Sequence, residues 1–315
     1  MTKILHSGDL GDLVYLLPAL RTIGNVELWL DDRPYTARLL GPRFDAIKPL
    51  LEAQPYITAV HAGTPDGAFI DASTFRNGGH PFGERLTDLQ AAWLKVSISH
   101  DPWISVTPDE KFTGRVVVHR SPRYGNPYFP WNKVADFYGE RMVAIGGPEE
   151  ARDLSTTCGK NIEYCSTKNF LELAQMIAGA DLFIGNQSSP CAVAVGLGAP
   201  YLQETCVWTP DCMFPERSES WHSFDGEIPG IAEPWQPLPE VEENVTPPGG
   251  WQWNNGGSSG RHLILGYAVR ESQMPKAEVL AQNIARLPNY FFRQSRESIF
   301  GAVQNKMLEL RARCA

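Results

Sequence analysis

"KILHSGDLGDLVYLLPALR", residues 3–21, is the stretch on which the fold turns. The short run 3–6 reads as a buried strand, and Leu13, Leu16, Leu17, Leu20 and Ile23 then recur at helical spacing. Pro18 falls inside that pattern and, lacking an N–H, is expected to kink the helix or start a second one. Between strand and helix lies a turn holding two glycines and two aspartates. Turns of this kind usually hold phosphate through backbone N–H groups, and carboxylates repel phosphate. The stretch matches neither GxGxxG nor the P-loop pattern, which weakens a dinucleotide or nucleoside-triphosphate reading. Asp9 reads as the cap or turn residue. Asp12, near the helix start, sits where the macrodipole stabilises an ionised carboxylate. Such a group can accept a proton from a hydroxyl, although a plain cap would also explain it. Ser7, Gly8, Asp9 and Gly11 form the loop around that acid, its glycines letting a substrate approach the backbone.

Outward from this turn, strand and helix signals keep alternating. "VELWL" (26–30) is a strand, "RFDAIKPLLEAQPYI" (43–57) a helix running into a loop, and "TAVHA" and "GAFIDA" two further strands. In "ERLTDLQAAWLKV" (84–96), Leu86, Leu89, Trp93 and Val96 share a helical face. "DPWISVTPDEKFTG" (101–114) has no periodicity and reads as an interdomain linker. A second series follows: strands in "RVVVHRS", "MVAIGG", "IEYCS", "DLFIGN" and "PYLQE", separated by helices near "PWNKVADFYG", "PEEARDL", "NFLELAQMIAGA" and from Pro190. Such alternation implies parallel sheets, and two series imply two doubly wound α/β domains facing one another across a cleft. Beyond Thr205 the pattern dissolves. Residues 206–260 are rich in Pro, Gly and Trp and are expected to pack as a long loop on the body, over a cleft.

Three further stretches carry candidate chemistry. In "IGNQSSPCAVAVGLGAP" (184–200) Ser188 or Ser189 can cap a helix and Pro190 suits its first turn. Free N–H groups and hydroxyls beyond a parallel strand suit a phosphate, and an ordinary capped helix is the plain alternative. "VVVHRSPRYGNPYFPWNKV" (116–134) places His119, Arg120 and Arg123 after a strand, where the arginines suit bidentate contact with a diphosphate or are simply solvated. "IGGPEE" (145–150) is another strand-to-helix turn, in which Gly146 and Gly147 permit close approach and Glu149 and Glu150 suit the first helical turn.

Composition narrows the classes. The 315 residues are 43% hydrophobic with a net charge of −8, which disfavours general attraction to nucleic acid or anionic membrane. Six cysteines are scattered without CxxC or zinc-type spacing, so reduced thiols are expected. No secretion signal and no apolar run of transmembrane length is evident, and a cytoplasmic location is expected. There is no Asp-x-Asp triplet of the kind that would bind a divalent metal beside a diphosphate.

Taken in order, "SGDLGDLVYLLPALR", "PLLEAQPYITAV", "VVVHRSPRYGNPYFPWNKV", "AIGGPEE" and "ELAQMIAGADLFIGNQSSPCAVAVGLGAP" resemble the heptosyltransferase-like family of glycosyltransferases (glycosyltransferase family 9-like) over roughly residues 1–200. The resemblance implies the GT-B fold, two Rossmann-like domains facing across a cleft. It divides the chain into an acceptor-side domain 1–108, a nucleotide-sugar domain 109–285 and a closing helix 286–315 that packs back towards the first domain. It implies an inverting transfer in which Asp12 deprotonates the acceptor hydroxyl, with the donor diphosphate at Gln187, Ser188 and Ser189. It also implies no metal and no cofactor beyond the nucleotide-diphosphate sugar as co-substrate. The family's late motif reads Asn-Asp-Ser-Gly-Pro-x-His, whereas Gln187, Ser189 and Ala192 stand at its Asp, Gly and His positions. Those departures imply a changed donor. The arginine loop has no match to the family's lysine, so Arg120 and Arg123 stand as candidates on their own chemistry.

The resulting expectation is a metal-independent glycosyltransferase. Its partners are a nucleotide-sugar donor and a glycan, lipid-linked or modified-DNA acceptor. It would act in the cytoplasm, at the inner membrane's face, or in a host's cytoplasm if viral. The competing readings are a GT-B-fold sugar-nucleotide epimerase, which would need acid/base groups in the donor pocket, and a non-catalytic nucleotide-sugar-binding protein.

Overall fold

A computed structural model describes residues 1–32, 39–75, 85–122, 124–126, 129–205, 212–214, 220–223 and 228–233. Arg123, the closing helix 286–315 and most of 206–260 lie outside the described residues. The first sheet has the order β3–β2–β1–β4, with β1 (Thr2–His6), β2 (Val26–Leu30), β3 (Ile57–Ala62) and β4 (Ile70–Asp71). Helices α1 (Leu10–Ile23), α2 (Pro42–Glu52) and α3 (Leu86–Leu94) follow β1, β2 and β4. The second sheet has the order β10–β9–β8–β5–β6–β7. Its strands are β5 (Val116–His119), β6 (Met142–Ala144), β7 (Glu163–Tyr164), β8 (Leu182–Asn186), β9 (Tyr201–Glu204) and β10 (Ser220–Ser223). They alternate with α4 (Trp131–Tyr138), α5 (Pro148–Cys158), α6 (Phe170–Gly179) and α7 (Ser189–Leu197).

Among the described residues every pairing between these strands is parallel. Parallel strands are covered on both faces and so read as unbroken apolar runs. Val116, Val117 and Val118 are all fully buried, which is why "VVVH" was recognisable as a strand. In each sheet the strand order reverses beside its first strand, between β1 and β4 and between β5 and β8. In doubly wound sheets ligands bind at the carboxyl ends of the strands flanking that reversal. His6, His119 and Asn186 are the last residues of β1, β5 and β8.

Two helices that are buried along most of their length join the sheets. Residues 12–20 of α1 and 190–196 of α7 are buried without interruption, and the two helices pack against each other. A helix buried on all sides needs partners on all sides. Pro18 does not start a second helix, since one helix runs from Leu10 to Ile23. A proline inside a helix costs about 3 kcal/mol. Burying Leu13, Leu16, Leu17 and Leu20, all at 0% exposure, contributes roughly 1.5–3 kcal/mol each.

The predicted linker 101–114 is anchored to the body at Trp103 and Ile104. Trp103 and Ile104 are 2% and 5% exposed, and both backbone N–H groups donate to Gly196 O at 2.8 and 2.9 Å. Arg21 of α1 donates to Pro102 O and Ser99 O at 2.6 and 3.0 Å. From beyond Thr205, fully buried Phe214 stacks on Tyr15 of α1 at 5.7 Å, meets Trp103 at 5.6 Å and lies under the Arg85 guanidinium. The region expected to be only a loop also supplies β10, "SWHS", paired in parallel with β9. Its four residues contain no Val or Ile, so nothing in their pattern marks a strand. Among the described residues no helix is long and apolar enough to cross a membrane.

His222 of β10 is 7% exposed, and its Nε2 lies 3.0 Å from the Tyr201 hydroxyl. Burial, with a contribution from the Arg85 charge, pushes its pKa down to about 3. The native ring therefore stays neutral, while the unfolded chain takes up a proton below about pH 6.5. Native stability is lost as pH falls from there towards 3, by about 2 kcal/mol at pH 5 for this group alone. Urea unfolding at about pH 7 and pH 5 checks this: His222→Phe should have a smaller pH-dependent drop than the wild type.

Candidate active site

A cleft of about 720 Å³ opens between the carboxyl ends of the two sheets. On the first wall, Asp9 is the N-cap of α1, its carbonyl accepting the Leu13 N–H at 3.0 Å. Asp12 occupies the third helical position and is 7% exposed, and its Oδ2 accepts the Asp9 N–H at 3.3 Å. The carboxylate therefore lies against the positive end of the helix, where negative charge is favoured. Gln90 of α3 donates to Asp12 O at 2.9 Å and anchors that turn from behind. A Cβ on Gly8 would lie 2.8 Å from His6 Nε2 and 2.9 Å from Asp12 Oδ2, so Gly8 lets these side chains converge. Gly8 therefore serves protein packing, and Ser7 is buried at 1% exposure. Gly11 does face the cleft, and nothing lies within 4 Å of where its Cβ would be.

The second wall comes from three strand-to-helix turns. After β8, the Asn186 side chain donates to Ser121 O at 2.9 Å and accepts the Ser121 N–H at 3.2 Å, tying two turns together. Ser188 is the N-cap of α7, Ser189 begins the helix and Pro190 follows in its first turn. The Ser188 hydroxyl does not cap its own helix. It lies 3.0 Å from His119 Nδ1 and 3.2 Å from Asn186 O. After β6, Gly146 has φ +100, and Gly147 is the N-cap of α5, with its N–H donating to Glu150 Oε2 at 2.9 Å. Glu150 Oε2 is also 3.3 Å from His119 Nε2. That hydrogen bond from His119, helped by the Gly147 N–H, holds the Glu150 carboxyl below its ordinary pKa against the opposing effect of burial.

Asp9, Gly11, Asp12, Gly146, Gln187, Ser188 and Ser189 thus share one cleft. Arg120 does not join them. Its Nε donates to both oxygens of Glu204, at 3.1 and 3.0 Å, and Glu204 is fully buried. Glu204 also accepts the Asn126 N–H at 2.6 Å and the Trp131 indole N–H at 3.1 Å. Burial nonetheless pushes its pKa up, with Arg120 as the strongest opposing influence. Leaving a charge of either sign unpaired at such a site costs several kcal/mol, so Arg120 serves the fold. Arg43 and Lys168 also line the cleft, and sequence reasoning missed both. Each lies at or just before a helix start, Arg43 in α2 and Lys168 ahead of α6, and that placement was the available signal. Among the described residues, no group of three or more His, Cys, Asp or Glu could hold a metal ion.

No family model and no curated protein matches the chain. The structure is similar to that of a glycosyl transferase family 9 protein from Veillonella parvula, at 12% identity over 70% of this chain and 85% of that one, TM-score 0.49. It is similar to E. coli heptosyltransferase WaaC with ADP, at 12% identity over 70% and 93%, TM-score 0.48. It is also similar to E. coli ADP-heptose lps heptosyltransferase II, at 9% identity over 98% and 99%, TM-score 0.41.

The two glycines after β6 should respond differently to substitution. A Cβ at Gly146 would lie 2.6 Å from His119 Cδ2 and 2.8 Å from Glu150 Oε2, on a backbone that L-residues avoid. Gly146→Ala is expected to cost about 1–3 kcal/mol. Gly147 has φ −75, and the nearest atom to its Cβ position is 3.5 Å away. Gly147→Ala should therefore cost under about 1 kcal/mol, both values read from urea unfolding.

Proposed function

We propose that the chain is an inverting glycosyltransferase whose donor is a nucleotide-diphosphate sugar. The observation that carries this reading is the placing of Asp12 opposite the Ser188–Ser189 helix start, on two walls of one cleft. The donor diphosphate would lie at the second wall, against the first turn of α7 and Gly146, with Lys168 at the rim. The acceptor would enter along Gly11. Asp12 takes the proton of the acceptor hydroxyl, and the acceptor oxygen bonds the anomeric carbon from the face opposite the phosphate. The anomeric C–O bond then breaks, and its electron pair leaves with the nucleoside diphosphate. A single displacement inverts the anomeric centre. Backbone dipoles and cations stabilise the leaving charge in a partly enclosed site. We further propose the acceptor-side and donor-side division of the chain at 108/109 and a cytoplasmic site of action. For the acceptor, a glycan or lipid-linked sugar suits a net charge of −8 better than a modified DNA base does.

One observation favours a second reading. His119 and Glu150 stand on the donor side of the cleft, and a sugar-nucleotide epimerase needs acid and base groups there. The two readings part on the acceptor: an epimerase converts the donor sugar without one, whereas a transferase releases nucleoside diphosphate into a glycoside product.

Asp12→Asn keeps an oxygen to accept the Asp9 N–H and removes the base. It should lower the rate of nucleoside diphosphate release to acceptor by about 10²–10⁴-fold and leave donor affinity unchanged by calorimetry. Normal turnover in this variant would overturn the assignment.

A further inference from the structure

The hydrogen-bonded chain Glu150–His119–Ser188 crosses three separate strand-to-helix turns and ends at a hydroxyl in the cleft. A capping role does not explain it, because the Ser188 hydroxyl makes no bond to its own helix. Arg120, which the sequence offered as the anion's partner, is committed to Glu204. His119 is only 4% exposed, and its two ring nitrogens face a carboxylate and a hydroxyl.

The two states of this ring direct the Ser188 proton differently. In the neutral ring, Nε2–H donates to Glu150 and Nδ1 can accept the Ser188 O–H. In the charged ring, Nδ1–H donates to Ser188 Oγ, and the hydroxyl proton must turn elsewhere, to Asn186 O or to an anion in the cleft. We propose that His119 is a positioning residue for anion recognition, and that its charged form turns the Ser188 hydroxyl towards a diphosphate bound at the start of α7. The inference rests on the nucleotide-diphosphate reading above and deepens it by assigning the pH-sensitive part of the donor site.

The groups facing His119 are few. Glu150 approaches from α5, and Ser188 stands at the start of α7 beyond β8, with uncharged Asn186, Gln187 and Ser189 beside it. Gly146 packs on the ring from the turn after β6. Lys168 lies at the cleft's edge, and Asp9, Asp12 and Arg43 line the opposite wall. Among the described residues Glu150 is thus the charged group hydrogen-bonded to the ring.

The test is calorimetric titration of the full chain with inorganic pyrophosphate at about pH 5.5 and about pH 8. Pyrophosphate changes its own protonation over this range, so the quantity read is the ratio of wild-type to His119→Gln affinity at each pH. The expected ratio is about tenfold at the lower pH, falling to near one at the higher. Ser188→Ala, which keeps the histidine, should show the same pattern and carries the test if His119→Gln does not fold. A ratio that does not change with pH, or no pyrophosphate binding by the wild type, would overturn the proposal. A pH-dependent ratio in a protein that transfers no sugar keeps the relay and removes the transferase reading. Sugar transfer with a pH-independent ratio does the reverse.

Discussion

The packing of α1 against α7 is the constraint on which the site depends. Each helix follows the switch point of its own sheet, and each is buried without interruption along most of its length. Burying both helices at once forces the sheets together along that line. Because α1 and α7 also begin at the same cleft, the packing brings two helix N-termini to face one volume. Helix N-termini favour negative charge and hydrogen-bond acceptors. One start carries its own carboxylate, Asp12, and the other carries hydroxyls. That asymmetry is what makes an acid-bearing wall and an anion-receiving wall out of two similar sheets. Phe214, from beyond the alternating pattern, locks the junction against Tyr15 and Trp103.

A second constraint is the cost of buried charge. Glu204 is fully buried and is held by Arg120, Asn126 and Trp131, so the loop after β5 is fixed to the end of β9. This removes an arginine from the cleft and leaves the residue before it, His119 at the end of β5, facing it. Glu150 accepts from both His119 and the first N–H of its own helix. The same turn that starts α5 therefore also sets the electrostatics of the second wall.

Much of this was legible in the sequence for physical reasons. Central parallel strands are covered on both faces, so "VELWL", "VVVH" and "MVA" stand out as apolar runs between helical segments. Glycine, serine and proline mark the turns, and Asp9 was readable as the cap with Asp12 beyond it. What could not be read depends on partners distant in the chain. Nothing near Arg120 announces Glu204, 84 positions later. Gly8 looked like a gap for substrate and is occupied by the approach of His6 and Asp12. "SWHS" is a strand only because β9 offers it an edge, and nothing in 101–114 announces that Trp103 reaches Gly196 and Phe214. Pro18 stays inside one continuous helix because burial on all sides outweighs one missing hydrogen bond.

The two-wall arrangement is tested most directly by amide hydrogen exchange along the chain with and without a nucleotide-diphosphate sugar, offered in turn with adenine, guanine, uracil, cytosine and thymine bases. The expected result with one of these donors is slowed exchange at 187–191 and 146–150, with residues 9–13 unchanged. Slowing at the start of α1 instead, or no change with any donor, would contradict it.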